Sequence, residues 1–195
     1  MKQTALGPAL DSAELRWQLP GAGRVLCYYR LGEGRPLLLL HSINAAASAY
    51  EVSPFFTRMT LGRPLYAPDL PGFGRSERPD RVYSPEFYAD AIIDMVRAMG
   101  GEPVDVIALS TSSEFAARAA LREPDLFHSL TLLSPTGFSR RRESRSPIGP
   151  RVHRVLRFPL LGAGLFRLLR TRPSVRFFLN KAFADGAPDE MVDYA

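Results

Sequence analysis

The chain has 195 residues, of which 46% are hydrophobic, 10% aromatic and 23% charged. That profile fits a soluble globular protein with one sizeable core and excludes disordered, collagen-like and coiled-coil chains. A single cysteine, Cys27, excludes a disulfide framework and a multi-cysteine metal site, and a reducing, cytoplasmic setting is expected. No run of 18 apolar residues exists, so no spanning helix is expected. The N-terminal stretch MKQTALGPALDSAELRW does not read as a signal peptide.

The formal net charge of +5 is unevenly spread. Residues 1–137 hold 13 Arg or Lys against 15 Asp or Glu, whereas residues 138–195 hold 12 against 5. Between Arg140 and Arg176 there are 11 arginines and one acid, Glu143. Two parts are therefore expected, a near-neutral core over 1–138 and a helical, arginine-rich region over 139–195.

The core reads as strands alternating with helices. Ser12 to Leu19 and Arg24 to Arg30 are β-prone runs around the turn Pro20-Gly21-Ala22-Gly23. Leu37 to Leu40 is an unbroken apolar run of the kind found in strands buried on both faces. Tyr50 to Met59 has helical spacing, and Pro64 to Pro68 is a short strand. Ser84-Pro85-Glu86 opens a helix that Gly100-Gly101 stops, with Phe87, Ala91, Met95 and Ala98 on its apolar face. Val104 to Leu109 is a buried strand, Ser113 to Leu121 a helix, and Ser129 to Leu133 a last strand. This alternation predicts an α/β fold with a mostly parallel sheet, whose ligands bind at the carboxyl ends of the strands.

Three of those ends carry unusual sequence: His41-Ser42-Ile43-Asn44, Asp69-Leu70-Pro71-Gly72-Phe73-Gly74-Arg75-Ser76, and Ser110-Thr111-Ser112-Ser113-Glu114. A hydroxyl at a tight strand-to-helix turn projects above the sheet, where free helix amides can stabilise an oxyanion. In this order the three segments resemble the α/β-hydrolase superfamily. DLPGFGRS matches its D-x-P-G-x-G-x-S loop, His41-Ser42 falls where His-Gly is usual, and the serine-rich segment falls at the nucleophile elbow G-x-S-x-G. Leu133 to Phe138 resembles the strand leading into the cap. The resemblance implies a hydrolase-type sheet with helices on both faces, followed by an incomplete helical cap.

Counting back from the helix places the nucleophile at Ser112, with Ser110 and Glu114 in the two glycine positions. The backbone amides of Ile43 and Ser113 then form the oxyanion hole, while His41 and Asp69 support the surrounding loops. A serine rather than an aspartate at the elbow separates the chain from epoxide hydrolases and haloalkane dehalogenases. A small hydrophobic or acyl substrate and carboxylic-ester or related acyl hydrolysis are implied, with no cofactor, no metal and no nucleic-acid partner. Of the histidines, His41 follows the oxyanion strand, His128 sits at the far rim of the sheet and His153 lies in the basic region. None takes the family's catalytic position, so the chain is expected to be a fragment ending within its cap, with little or no turnover. The region 151–176 reads either as cap helices over the cleft or as a basic amphipathic surface for peripheral membrane contact. The second reading accompanies a different functional class, a non-catalytic family member that binds a ligand or membrane.

Overall fold

The computed structural model describes residues 7–44, 47–59 and 62–136, and within the remainder residues 164, 168, 171–180, 186, 189 and 192. The chain divides into two units, Met1–Phe138 and Ser139–Ala195.

In the first unit, β1 (Ala13–Leu19) and β2 (Gly23–Arg30) form an antiparallel hairpin. β3 (Leu37–Leu40) is followed by a 3-10 turn (Ala49–Val52), α1 (Ser53–Arg58) and β4 (Leu65–Pro68). Then come α2 (Pro85–Ala98), β5 (Val104–Leu109), α3 (Ser112–Arg122) and β6 (Phe127–Leu133). The sheet order is β1-β2-β4-β3-β5-β6. β2 meets β4 antiparallel, and β4, β3, β5 and β6 run parallel. The carboxyl ends of those four strands therefore share one rim.

Local chemistry accounts for these elements. All four leucines of β3 are at most 3% exposed, each contributing about 1.5–3 kcal/mol of burial. By strand alternation Leu38 and Leu40 share a face, and both enter the core formed with α2 and α3. Ser84 caps α2 by accepting the Phe87 N–H at 3.2 Å, and Pro85 takes the first helical position, where its missing N–H costs nothing. Phe87, Ala91, Ile92, Met95 and Val96 are buried along its inner face. Within the core, Phe115 of α3 stacks on Tyr88 of α2, the ring centroids 4.6 Å apart. Cys27 in β2 is fully buried, and desolvation pushes its thiol well up from the ordinary value.

Two boundaries differ from the sequence expectation in ways that matter. The last strand starts at Phe127, so His128 lies within it rather than before it. α3 starts at Ser112 rather than Ser113, because the chain leaves β5 at Leu109 and turns within two residues.

In the second unit, α4 (Arg172–Asn180) lies within the region 139–195 expected to be helical. Most of the region 151–176, expected as cap helices or a membrane-contact surface, lies outside the described residues, as does His153. Among the described residues no helix is long and apolar enough to cross a membrane.

Candidate active site

At the shared rim, Ser110 occupies the turn between β5 and α3 with a φ of +51°. A non-glycine residue in this left-handed region carries about 1–3 kcal/mol of strain and persists only where its surroundings enforce it. Here they do. The Ser110 N–H donates to the Leu133 carbonyl at 2.9 Å, and the Ser110 carbonyl accepts the Ser113 N–H at 3.1 Å and the Thr136 N–H at 3.4 Å. The Thr136 hydroxyl also donates to that of Thr111 at 3.1 Å. Ser110 itself is half-buried, and no described residue shares a hydrogen bond with its hydroxyl.

The geometry distinguishes the three serines of this segment. Ser112 is fully buried, the first residue of α3, and its hydroxyl donates to the His41 carbonyl. Such a hydroxyl has neither access to a substrate nor a free proton geometry for attack. The amide expected of Ser113 is likewise committed, because it bonds the Ser110 carbonyl, and the Ser113 hydroxyl donates to the Ala108 carbonyl at 3.0 Å. Counting forward from the strand instead, Ala108-Leu109-Ser110-Thr111-Ser112 has small residues two before and two after Ser110. The abutment of Ser110 against the apolar run 104–109 was the available signal. Glu114 then lies inside α3, where its carboxylate accepts from Arg118 at 2.7 and 2.9 Å.

His41 is fully buried, with both ring nitrogens engaged. Nδ1 donates to the Ser42 carbonyl at 2.6 Å, and Nε2 accepts the Leu70 N–H at 2.9 Å. These partners select the neutral tautomer, and burial lowers the imidazole from its ordinary value of 6.5. Asp69 is also fully buried; Oδ1 accepts the Ala49 N–H at 2.8 Å and Oδ2 the Arg75 N–H at 2.9 Å. Desolvation outweighs those two bonds and raises its carboxyl. Ser76 completes the loop, donating to the Asp69 carbonyl at 2.6 Å and accepting the Leu26 N–H at 2.8 Å. His41 and Asp69 thus fasten the 41–44 and 69–76 loops to one another and to the core, and neither faces Ser110 with a free proton acceptor.

The His41 arrangement fixes a pH dependence. Because the folded value lies below the unfolded one, the unfolded chain binds more protons between the two, and stability falls as pH drops from about 7 towards 5. His41→Gln, which has no proton to gain there, flattens that slope although it lowers stability at neutral pH. Melting temperature followed across this pH range reads both effects.

His128 belongs elsewhere. Its Nδ1 lies 2.8 Å from Asp105 Oδ1, at the amino end of β5, five residues or about 16 Å of strand from Ser110. Burial opposes ionisation of Asp105. Even so, hydrogen bonds from Ser129, Arg63 and His128 hold its carboxyl well below the usual range.

A cavity of about 740 Å³ opens against Thr111, the residue after Ser110, while Ser110 itself is not part of its wall. Its walls combine four aromatic rings, Phe73, Tyr83, Tyr88 and Phe115, with the charged side chains Arg78, Asp80, Arg81 and Glu114. Ile43 and Thr111 both line it. Among the described residues no acceptor takes either N–H. No cluster of three or more His, Cys, Asp or Glu side chains able to hold a metal occurs among them.

The alpha/beta hydrolase family model matches residues 37–195. The chain belongs to the alpha/beta hydrolase family. It is 31% identical over 130 residues to a 2-hydroxymuconate semialdehyde hydrolase of Pseudomonas putida, a match covering 66% of this chain and 46% of that protein. It is also 31% identical over 110 residues to a 1-acylglycerol-3-phosphate O-acyltransferase of Sus scrofa, covering 54% and 31% respectively. Among solved structures, a meta-cleavage product hydrolase shares 27% identity at a TM-score of 0.55, over 62% of this chain and 45% of that one. A haloalkane dehalogenase of Agrobacterium tumefaciens shares the fold, at 21% identity and a TM-score of 0.65 over 95% and 62%. The chain spans about half the length of the first of these curated relatives.

Proposed function

We propose that this protein contributes the nucleophile and oxyanion half of a serine hydrolase acting on a carboxylic ester or related acyl bond. Ser110 is the nucleophile. The observation that carries this reading is its left-handed backbone at the strand-to-helix turn, half-exposed and next in the chain to Thr111 of the cavity wall, while Ser112 and Ser113 are buried and bonded inward.

In this reading the Ser110 hydroxyl attacks the acyl carbon, and the amides of Thr111 and Ile43 receive the charge that develops on the carbonyl oxygen. The leaving group departs, and water hydrolyses the acyl-enzyme. The proton from Ser110 must pass to a base, and His41 and His128 are both otherwise committed. That base, with the acid that orients it, is sought outside the described residues. The curated relative named for 2-hydroxymuconate semialdehyde supports a small acyl compound as substrate, and the aromatic walls suit a planar, unsaturated one.

A fluorophosphonate tests the assignment. Attack forms a serine O–P bond, breaks P–F and releases fluoride together with the hydroxyl proton. Peptide mapping is expected to place the adduct on Ser110; an adduct on Ser112 or Ser113 overturns the reading.

A further inference from the structure

The short loop that carries the Ile43 amide is held by three side chains, and each acts on a different backbone group. In the His41–Ser42 peptide, the carbonyl accepts from the Ser112 hydroxyl and the N–H donates to Glu51 Oε2 at 2.8 Å. In the next peptide, the Ser42 carbonyl accepts from His41 Nδ1 at 2.6 Å. The peptide bonds are trans, so an N–H points opposite to the carbonyl of its own unit. With the Ser42 carbonyl turned to the buried imidazole, the Ile43 N–H is directed away from it. Glu51 also takes the Asn44 side-chain amide on Oε1 at 2.5 Å, and that amide bonds the Ser42 hydroxyl at 2.8 Å. The carboxylate therefore grips the loop at both ends.

We propose that Glu51 and Ser112 are positioning residues that fix the His41–Ser42 peptide from its two ends and so hold the Ile43 amide in place as an oxyanion donor. The inference rests on the Ser110 reading above. Neither side chain touches the reacting atoms. Glu51 reaches from the 3-10 turn after β3, and Ser112 from the first turn of α3. Between them they tie the oxyanion loop to the same helix that follows the nucleophile. A glycine at position 112 could not form that tie. Its serine, which does not serve as an attacking group, has a geometric task instead.

A donor placed in advance strengthens binding of an anionic tetrahedral species and leaves binding of a neutral ligand in the same cavity unchanged. Phenylboronic acid is the probe. Ser110 Oγ adds to boron and releases its proton to solvent, leaving a tetrahedral boronate anion on the serine. Benzyl alcohol, which forms no anion, is the control.

Glu51→Ala is expected to weaken phenylboronic acid binding about tenfold to a hundredfold, with benzyl alcohol affinity within about twofold of the parent. Glu51→Gln, which keeps an acceptor oxygen at the same reach, restores most of the loss, and Ser112→Ala costs about threefold to tenfold. If Glu51→Ala proves unfolded by circular dichroism, Glu51→Asp, with its charge kept and its reach shortened, is read against Glu51→Gln in the same way. Equal loss of both ligands marks a general structural role and overturns the proposal. So does unchanged boronate binding in Glu51→Ala while Ser110→Ala abolishes it. Boronate binding that survives in Ser110→Ala overturns the nucleophile assignment instead, so the two failures are distinguishable.

Discussion

Ser110→Ala reduces fluorophosphonate labelling by about a thousandfold or more, to the background of the unfolded chain, because removing a nucleophile leaves only binding and oxyanion contacts. Ser112→Ala still becomes labelled at Ser110, slowed about tenfold at most through loosening of the 41–44 loop. The contrast between the two serines decides the register. It follows from burial, since a hydroxyl with no solvent exposure and a bond to the His41 carbonyl cannot approach an electrophile without opening the first turn of α3. Rates from intact-mass time courses, with the adduct mapped by peptide sequencing, provide the comparison. Equal loss of labelling in both variants overturns the assignment.

Gly74→Ala is expected to be the most damaging change in the loops around the site, costing on the order of 3 kcal/mol or more. A Cβ built there falls 2.2 Å from the Asp69 carboxyl carbon and from Oδ2, and Gly74 has a φ of +48°. Asp69 cannot give way, because each oxygen holds a loop amide and the whole side chain is buried. Displacing it would leave a buried carboxylate without partners, which is among the costlier single events in a folded protein. Gly34→Ala is the control: its φ is +83°, but nothing lies within 4 Å of the added carbon, so only backbone strain of about 1 kcal/mol is expected. The predicted ordering is a drop of about 6–12 °C in melting temperature for Gly74→Ala and about 2–4 °C for Gly34→Ala.

The sheet was legible in the sequence because its inner strands are short apolar runs between glycine- and proline-rich turns. Leu37–Leu40 and Val104–Leu109 could be read directly, and the Ser84 cap marked α2 to the residue. The three loops of the site were legible as positions. The role of each serine was not. Ser110, Ser112 and Ser113 are chemically alike, and what separates them is a positive φ at one and full burial at the others. Both properties depend on where β5 ends and α3 begins, and α3 begins one residue earlier than its sequence suggests. The Glu51 contact with Ser42 was invisible for a different reason: nine residues separate them, and only the fold of the intervening turn brings them together.

Cys27 carries a separate consequence. It is the sole sulfhydryl of the chain, it sits on a strand between β1 and β4, and no solvent reaches it in the native state. A thiol so enclosed reacts with an alkylating reagent only while the sheet is open. Its alkylation rate, divided by that of the unfolded chain, is then a direct count of how often β2 comes undone. The protein thus carries an intrinsic gauge of its own opening, placed in the strand next to the one from which the Asp69 loop departs, and no label has to be introduced to use it.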